Sequence, residues 1–412
     1  MKTNQKKSTF LSKNLTEIKT FELNEKNNNE FLWLKKAIGN SKIVMLGEQD
    51  HGDATAFVAK ARIIKYLHEE MEFNVLAFES DFYQCNQKNE LFREKTISIK
   101  EFKNALWDFW TADKNIQKFY NYLEECNNSS NPINITGFDC QYVNLWRNKD
   151  FAKNYLNYFK KSNANEISSN SLPIFEKTIS DLFSKPHNYE YTKEQKKQFL
   201  IALDDLIKIK NKKSSKNNFS LQELKNLKGH ASYKWSDEKN SMKVRDRQMA
   251  DNLKWLYEHK FKNEKIIIWA HNGHIPKDYT NVIPKEEILE IEAEGISMNF
   301  IGHLMGELLY QKYGNDIYSL GFISYSGNYS HRAYNYNFEE TKEIVSEQTS
   351  LEYLIHTKNI KYGFINLKET DKIKNIPSFI ISDEHNEAYL SNWKQVYDGL
   401  LYIDKMLEIK NH

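Results

Sequence analysis

Six short runs of β-type residues recur along the chain, separated by longer stretches with a helical pattern. The runs are Lys42–Leu46, Phe73–Phe78, Ile133–Phe138, Lys265–Ala270, Ile317–Phe322 and Lys361–Ile365, with Gly399–Asp404 as a candidate for one more. Each is nearly continuous in apolar residues, which is typical of strands buried on both faces. Helices between such strands indicate crossover connections. The pattern therefore predicts an α/β fold with a largely parallel β-sheet flanked by helices on both faces.

The longest interval without a strand-like run lies between residues 148 and 260. This segment carries several charged helical patterns joined by polar loops, such as Lys210–Asn217 (KNKKSSKN). We predict that it is a helical insertion within a single domain covering residues 1–412, and that it caps the active edge of the sheet. A separate helical domain is the alternative, because domains commonly have about 100–200 residues.

Charge and cysteine content limit the classes of partner. Lys and Arg number 58 and Asp and Glu 56, so the net charge of +2 offers little attraction for nucleic acid or an anionic membrane. The basic N-terminal segment lacks a signal-peptide core, and no apolar run has the roughly 18 residues of a membrane span. Three scattered cysteines, Cys85, Cys126 and Cys140, are typical of free thiols in a reducing compartment. We expect a cytoplasmic protein without nucleic-acid or membrane partners, and its oligomeric state stays open.

Titratable side chains follow four of the predicted strands. In chain order they are Glu48 and His51, then Glu79, then Asp139, and finally His271 and His274. In open α/β sheets, ligands bind beyond the carboxyl ends of the strands. One such residue would be an ordinary helix cap or ion-pair partner. Six of them at four strand ends favour a shared site.

Two histidine loops suggest the chemistry without deciding it. Within residues 47–52 (GEQDHG), glycines permit a tight turn and His51 can take a proton from water near neutral pH. Within residues 269–274 (WAHNGH), His271 and His274 would point to opposite faces of a continuing strand but could converge around a turn, and the Asn-Gly between them favours the turn. The histidine pair suits metal coordination with a nearby glutamate, and it equally suits hydrogen bonding to an oxyanion. Their spacing alone does not separate these two interpretations.

Lys60 lies within the apolar stripe of a helix predicted from about Ala54 to Met71. One interpretation is a side chain that snorkels from the edge of the stripe. The other is a cation that points towards Glu48 or Glu79, fixes that carboxylate and lowers its pKa.

Other catalytic signatures are missing from the sequence. There is no GxSxG segment to supply a serine nucleophile, and no P-loop or GxGxxG segment to bind a nucleotide cofactor. An aromatic segment around Trp110 is more typical of a hydrophobic core than of a ligand cage, although it lies where a cap would meet the site. We predict Trp110 and Asp139 as substrate-binding residues.

Taken in order, these segments resemble the erythromycin esterase family. The family begins with a GExxH loop, a helix and a strand that ends at a glutamate. The similar segment in this chain is Leu46–Glu79 (LGEQDHGDATAFVAKARIIKYLHEEMEFNVLAFE). Similar segments follow in the family's order at Gly137–Gln141, Arg245–Leu256, Trp269–Ile275 and Met305–Phe322. The resemblance spans most of the chain.

The resemblance implies hydrolysis of a macrolide lactone by water, without an acyl-enzyme. It implies His51 as the general base, with supporting residues at Glu48, Glu79, His271 and His274. One position departs from the family, because macrolide esterases carry arginine where this chain has Lys60. Lysine keeps the charge but cannot make the planar, two-pronged contact of arginine with a carboxylate.

We therefore predict a hydrolase that opens the lactone of 14-membered macrolides such as erythromycin and confers antibiotic resistance. His51 would activate the water, and Glu48 or Glu79 would orient the imidazole or the water. His271 or His274 would stabilise the oxyanion and could pass a proton to the leaving alkoxide. The expected partner is a macrolide or another lactone or ester, with no metal or other cofactor. One alternative is a metal-dependent hydrolase with Glu48, His51, His271 and His274 as ligands. The other is a non-catalytic protein that binds a small ligand or haem through its histidines.

Overall fold

A computed structural model describes most of the chain. The described residues are 2–25, 27–143, 145, 150–185, 189–213, 215, 218–285, 304–332, 337–368 and 377–410. None of the helices in these ranges is long and apolar enough to cross a lipid bilayer.

Nine strands of the described residues form one large sheet, and three others form a small antiparallel sheet. The strands are β1 (Leu15–Ile18), β2 (Ile43–Leu46), β3 (Phe73–Asp81), β4 (Asn134–Asp139), β5 (Lys265–Trp269), β6 (Ile283–Pro284), β7 (Ile317–Arg332), β8 (Asn337–Val345), β9 (Tyr362–Asn366), β10 (Phe379–Ser382), β11 (Ala388–Ser391) and β12 (Gly399–Met406). The large sheet has the order β1-β9-β12-β7-β2-β5-β3-β4, with β8 beside β7, and the small sheet has the order β10-β11-β6. Strands from β12 to β4 in that order pair in parallel, whereas β1, β8 and β9 pair antiparallel.

Helices cover both faces of the large sheet, as the strand pattern predicts. They are α1 (Lys2–Asn14), α2 (Leu32–Ile38), α3 (Ala54–Met71), α4 (Phe82–Arg93), α5 (Ile99–Phe102), α6 (Asp108–Ala112), α7 (Gln117–Asn127), α8 (Phe151–Ser162), α9 (Leu172–Ser184), α10 (Lys193–Lys213), α11 (Phe219–Trp235), α12 (Glu238–Trp255), α13 (Met305–Tyr313) and α14 (Leu351–His356). Successive β2 residues alternate between two hydrophobic clusters: Val44 and Leu46 pack with α3, and Ile43 and Met45 pack with α12. This alternation confirms the predicted layered α/β fold.

The sequence pattern underestimated the length of β7 and missed its partner β8. β7 extends from the predicted Phe322 to Arg332, and its partner β8 has exposed positions along most of its length. Gly327 allows β12 to approach closely, because a Cβ there would lie 2.2 Å from Met406 O and its φ is +123°. A buried-strand criterion cannot detect an edge strand that faces solvent on both sides.

Between residues 148 and 260 the described residues form helices α8 to α12, joined by turns and loops, and contain no strand. Helices α8–α11 share a hydrophobic cluster of their own, which includes Phe159, Phe175 and Leu227. Helix α12 packs mainly against α11 and also contacts β4 and α13. A single domain with this segment as a cap over the site stays a prediction.

Helix α3 begins where the first histidine loop ends. The Asp53 carboxylate accepts hydrogen bonds from Thr55 N at 2.9 Å and Ala56 N at 3.2 Å, which caps the helix. The helix ends at Met71, and the next residue, Glu72, has a φ of 60°. It fixes Lys60 two turns from its start, with the side chain directed into the protein.

Candidate active site

Four neighbouring parallel strands bring the predicted site residues to one edge of the sheet. Strands β2, β5, β3 and β4 lie side by side. The residues at or just after their carboxyl ends are Glu48, His51, His271, His274, Glu79 and Asp139. Their side chains form two groups, one around Glu48 and one around Glu79.

Glu48 is the centre of the first group and is fully buried. Its Oε1 accepts hydrogen bonds from His51 Nδ1 and Trp110 Nε1, each at 2.8 Å. Its Oε2 accepts from Lys60 Nζ at 2.6 Å and Trp269 Nε1 at 3.1 Å. Burial opposes the charge, but Lys60 and His51 outweigh it and lower the pKa of Glu48. The carboxylate is therefore ionised and held by four donors.

His51 lies between this carboxylate and an open cavity. Because Glu48 is ionised, His51 Nδ1 must donate to it, which leaves the lone pair on Nε2. The ring stacks on Phe109, with centroids 4.5 Å apart and planes at 14°, and meets Trp110 edge-on. About a fifth of the His51 side chain is exposed to the cavity. The imidazole is thus held in one tautomer and one plane.

Lys60 points inward and pairs with Glu48, not with Glu79. Its Nζ also donates to Ala270 O at 3.0 Å and lies 4.8 Å from the centre of the Trp269 ring. The side chain is completely buried, so the snorkelling interpretation is wrong. Burial lowers the pKa of Lys60 to about 8, although Glu48 opposes that shift.

Glu79 is the centre of the second group. Its Oε1 accepts from Arg245 Nη2 at 2.6 Å and lies 3.1 Å from His274 Nε2, and its Oε2 accepts from His271 N at 2.8 Å. Burial opposes ionisation, but His274 and Arg245 hold the pKa of Glu79 well below its usual range. Both oxygens of the Glu79 carboxylate are therefore bonded to protein groups.

The two histidines of the second loop differ in charge. Burial disfavours a charged His274, but Glu79 and Asp246, which is 2.6 Å from Nδ1, raise its pKa to about 10. Burial and the neighbouring His51 hold the pKa of His271 well below its usual value. His271 Nε2 donates to Gln49 O at 2.8 Å, and its Nδ1 accepts from Gly273 N at 3.2 Å. Both rings therefore have both nitrogens bonded to protein atoms.

Arg245, on α12, was not singled out as a site residue by the sequence reasoning. It forms a fork with Asp139, with Nε 3.1 Å from Oδ1 and Nη2 2.7 Å from Oδ2, and it also reaches Glu79. A signal was present, because Arg245 begins the RDRQMADNLKWL segment of the family resemblance. Its role in the site becomes visible only once α12 packs against β4.

Trp110 and Asp139 are placed differently from the sequence expectation. Both are completely buried, and neither lines the cavity that His51 faces. Trp110 donates to Glu48, and Asp139 holds Arg245. This arrangement corrects the expectation of substrate contact, because both side chains are positioned to orient other site residues.

The cavity beside His51 has a volume of about 650 Å³. Its lining includes His51, Glu79, Arg245, Trp107, Phe109 and His385. Trp107 stacks on Phe109, so an aromatic surface leads to the His51 ring. Another cavity of about 660 Å³ lies beside Lys65 and Glu69, so volume alone does not identify the site. The hydrogen-bonded pair of His51 and Glu48 identifies the cavity beside His51 as the candidate site.

The described residues contain no group of three or more His, Cys, Asp or Glu side chains arranged to hold a metal ion. Two of the four residues in the metal alternative are already fully bonded to protein groups. His271 has both nitrogens bonded to backbone atoms, and Glu48 is already bound by four protein donors. These ligands would have to give up existing bonds to bind a metal.

Comparison with known proteins places the chain in a family. The model of the family described as erythromycin esterase matches residues 68–406. The chain belongs to the erythromycin esterase family. The match covers Glu79, Arg245 and the second histidine loop, while Glu48, His51 and Lys60 precede it.

Relatives of the chain are distant. The Bacillus subtilis protein YbfO, named as a candidate hydrolase, is 26% identical over 326 residues, which cover 73% of this chain and 68% of that protein. Erythromycin esterase type II of Escherichia coli is 23% identical and covers 93% and 95% of the two chains. A solved erythromycin esterase mutant in its open conformation has a TM-score of 0.67 at 15% identity, over 96% of this chain and 98% of that one. Family membership indicates an esterase-type hydrolase that acts on a small molecule.

Glu79→Gln is expected to lower both turnover and stability. An amide offers only one acceptor oxygen, so either His271 N or the Arg245–His274 pair loses its buried acceptor, at a cost of about 1–3 kcal/mol or more. Urea unfolding and kcat would measure the two effects. Glu258→Gln is the matched control, because Glu258 forms a partly exposed pair with Lys312 that is worth about 0–1 kcal/mol. Unchanged stability of the Glu79 variant would contradict this arrangement.

Proposed function

We propose that the protein hydrolyses a lactone or ester with a water molecule activated by His51. The observation that carries this proposal is the His51–Glu48 hydrogen bond of 2.8 Å at the wall of an open cavity. His51 Nε2 takes a proton from water, and the water oxygen attacks the carbonyl carbon. Glu48 stabilises the resulting imidazolium, and Lys60 keeps Glu48 in place.

The oxyanion in this proposal is stabilised by Arg245. The sequence suggested His271 or His274 for this role, but neither residue lines the cavity that His51 faces. Arg245 instead lines the cavity together with His51. A guanidinium fixed by Asp139 and Glu79 is a preorganised positive group that need not reorient as charge develops.

The substrate we propose is the lactone of a 14-membered macrolide, and the consequence we propose is antibiotic resistance. Family membership supports this choice, and so does a cavity of about 650 Å³ with an aromatic wall of Trp107 and Phe109. Cavities of about 300–1,000 Å³ are usual for small-molecule ligands.

The test is incubation of the purified protein with erythromycin, followed by mass spectrometry. We expect a ring-opened acid that is heavier by one water, and the same turnover after exhaustive chelation. A parallel incubation with simple esters shows whether any hydrolase activity is present. Turnover of esters without ring opening would reject the macrolide. Activity that chelation removes and added metal restores would favour the metal-dependent alternative.

A further inference from the structure

A strained turn lies at the rim of the cavity, between β10 and β11. His385 and Asn386 are consecutive non-glycine residues with φ of 52° and 61°. Left-handed backbone is uncommon for non-glycine residues, although asparagine and histidine adopt it more readily than most. It tends to persist where surrounding contacts enforce it, often at functional sites. Here Asp383 N donates to Glu387 O at 2.9 Å, and Asn386 N donates to Asp383 O at 3.1 Å.

Hydrogen bonds fix this turn to both histidine loops. His385 N donates to Gln49 O at 2.9 Å, and the same carbonyl accepts from His271 Nε2. The buried Asp383 accepts from Asn272 Nδ2 at 2.8 Å. The position of His385 is therefore tied to the loop that carries His51 and to the loop that carries His271.

The His385 side chain faces the same cavity as His51. About 63% of it is exposed, and its ring centre lies 4.9 Å from that of His271, which is 5.1 Å from that of His51. Its Nδ1 lies 3.7 Å from Asp50 Oδ2. The imidazole is therefore within ion-pair distance of a carboxylate at the cavity.

Ester hydrolysis needs a proton for the leaving alkoxide, and the residues chosen from the sequence are poorly placed to give one. His274 is bonded to two carboxylates, and His271 donates its ring proton to a backbone carbonyl. Glu79 is ionised by its cationic partners. His385, beside Asp50 at the cavity rim, is better placed for this step.

We propose that His385 is a second catalytic residue, which donates a proton to the alkoxide as the ester or lactone opens. The inference rests on the proposed function. His51 removes a proton from water while the C–O bond to the water oxygen forms. The bond from the carbonyl carbon to the alkoxy oxygen then breaks, and that oxygen takes a proton from the His385 imidazolium. Afterwards His51 releases its proton to solvent and His385 regains one, so ester and water give acid and alcohol.

The experiment compares leaving groups of different basicity. Wild type, His385→Asn and His51→Asn are assayed on 4-nitrophenyl acetate, phenyl acetate, ethyl acetate and erythromycin. Asparagine tolerates left-handed backbone, so the turn is retained while the proton donor is lost. His356→Asn is the matched control, because His356 also pairs with a carboxylate, Asp404 at 2.7 Å, but does not line the cavity. Thermal unfolding checks that each variant is folded.

For His385→Asn we expect a loss of about 10²-fold in kcat on the alkoxide-releasing substrates, the scale of general acid catalysis. On 4-nitrophenyl acetate, whose leaving group is weakly basic, we expect a loss below about threefold. His51→Asn should lose activity on every substrate that wild type hydrolyses. An equal loss by His385→Asn on all substrates, or no loss, would overturn the acid role alone. A wild type that hydrolyses none of the four would reject the proposed function, and the role of His385 with it.

Discussion

Replacing His51 by asparagine is expected to lower kcat by about 10²–10⁴-fold, the range for loss of a general base. Asparagine cannot accept a proton at neutral pH. The fold should tolerate the change, because about a fifth of the His51 side chain is exposed and Glu48 keeps Lys60, Trp110 and Trp269 as donors. The measurements are kcat on the best available ester and the midpoint of thermal unfolding.

The His356→Asn variant controls for the loss of a carboxylate-paired histidine elsewhere in the protein. It should keep wild-type kcat. A folded His51→Asn protein with more than half of the wild-type kcat would remove His51 from the role of base. The cavity would then need another group to activate water.

Lys60→Ala is expected to lower kcat by roughly 10²-fold or more and to destabilise the protein by about 3–5 kcal/mol. Removing Lys60 leaves the buried Glu48 carboxylate without its cation and opens a void beside Trp269 and Phe322. Lys60→Met is the matched variant, because it fills much of the volume without supplying charge. If the methionine variant is as active as wild type, the charge of Lys60 is not required.

Lys60→Arg should retain or raise activity and extend the alkaline range. Burial sets the pKa of Lys60 at about 8, below its usual 10.5. Lys60 is therefore protonated below that pH, and as the pH rises through about 8 Glu48 loses its cationic partner and turnover falls. Arginine stays protonated throughout, so the alkaline limb of kcat against pH should move upward in this variant. An alkaline limb that is identical in both proteins would contradict this cause.

Long-range contacts make His271 and His274 different in charge, although the spacing of the second histidine loop does not distinguish them. The HxxH spacing made His271 and His274 equivalent candidates for a metal or an oxyanion. Their environments separate them, because His274 lies between two carboxylates whereas His271 lies beside other histidines and bonds to backbone atoms. The charge of an imidazole depends on its neighbours, and neighbours this far apart in the chain are not encoded in loop spacing.

The sequence by itself determined the layered α/β fold and the edge of the sheet where the site residues meet. Buried parallel strands need apolar residues on both faces, and that requirement leaves a readable local pattern. The strand ends then follow, because parallel strands share one carboxyl edge. Strands β1 and β8 escaped detection because edge strands carry no such pattern.

Only the tertiary structure decided which side chains pair within the site. It joined Lys60 to Glu48 rather than to Glu79, and it brought Arg245 to Glu79 across 166 residues of chain. It also placed Trp110 behind Glu48 and His385 at the cavity rim. Such partnerships depend on how α3, α12 and the β10–β11 turn pack against the sheet. Burial and those partners, not the residue types alone, then fix which groups carry charge.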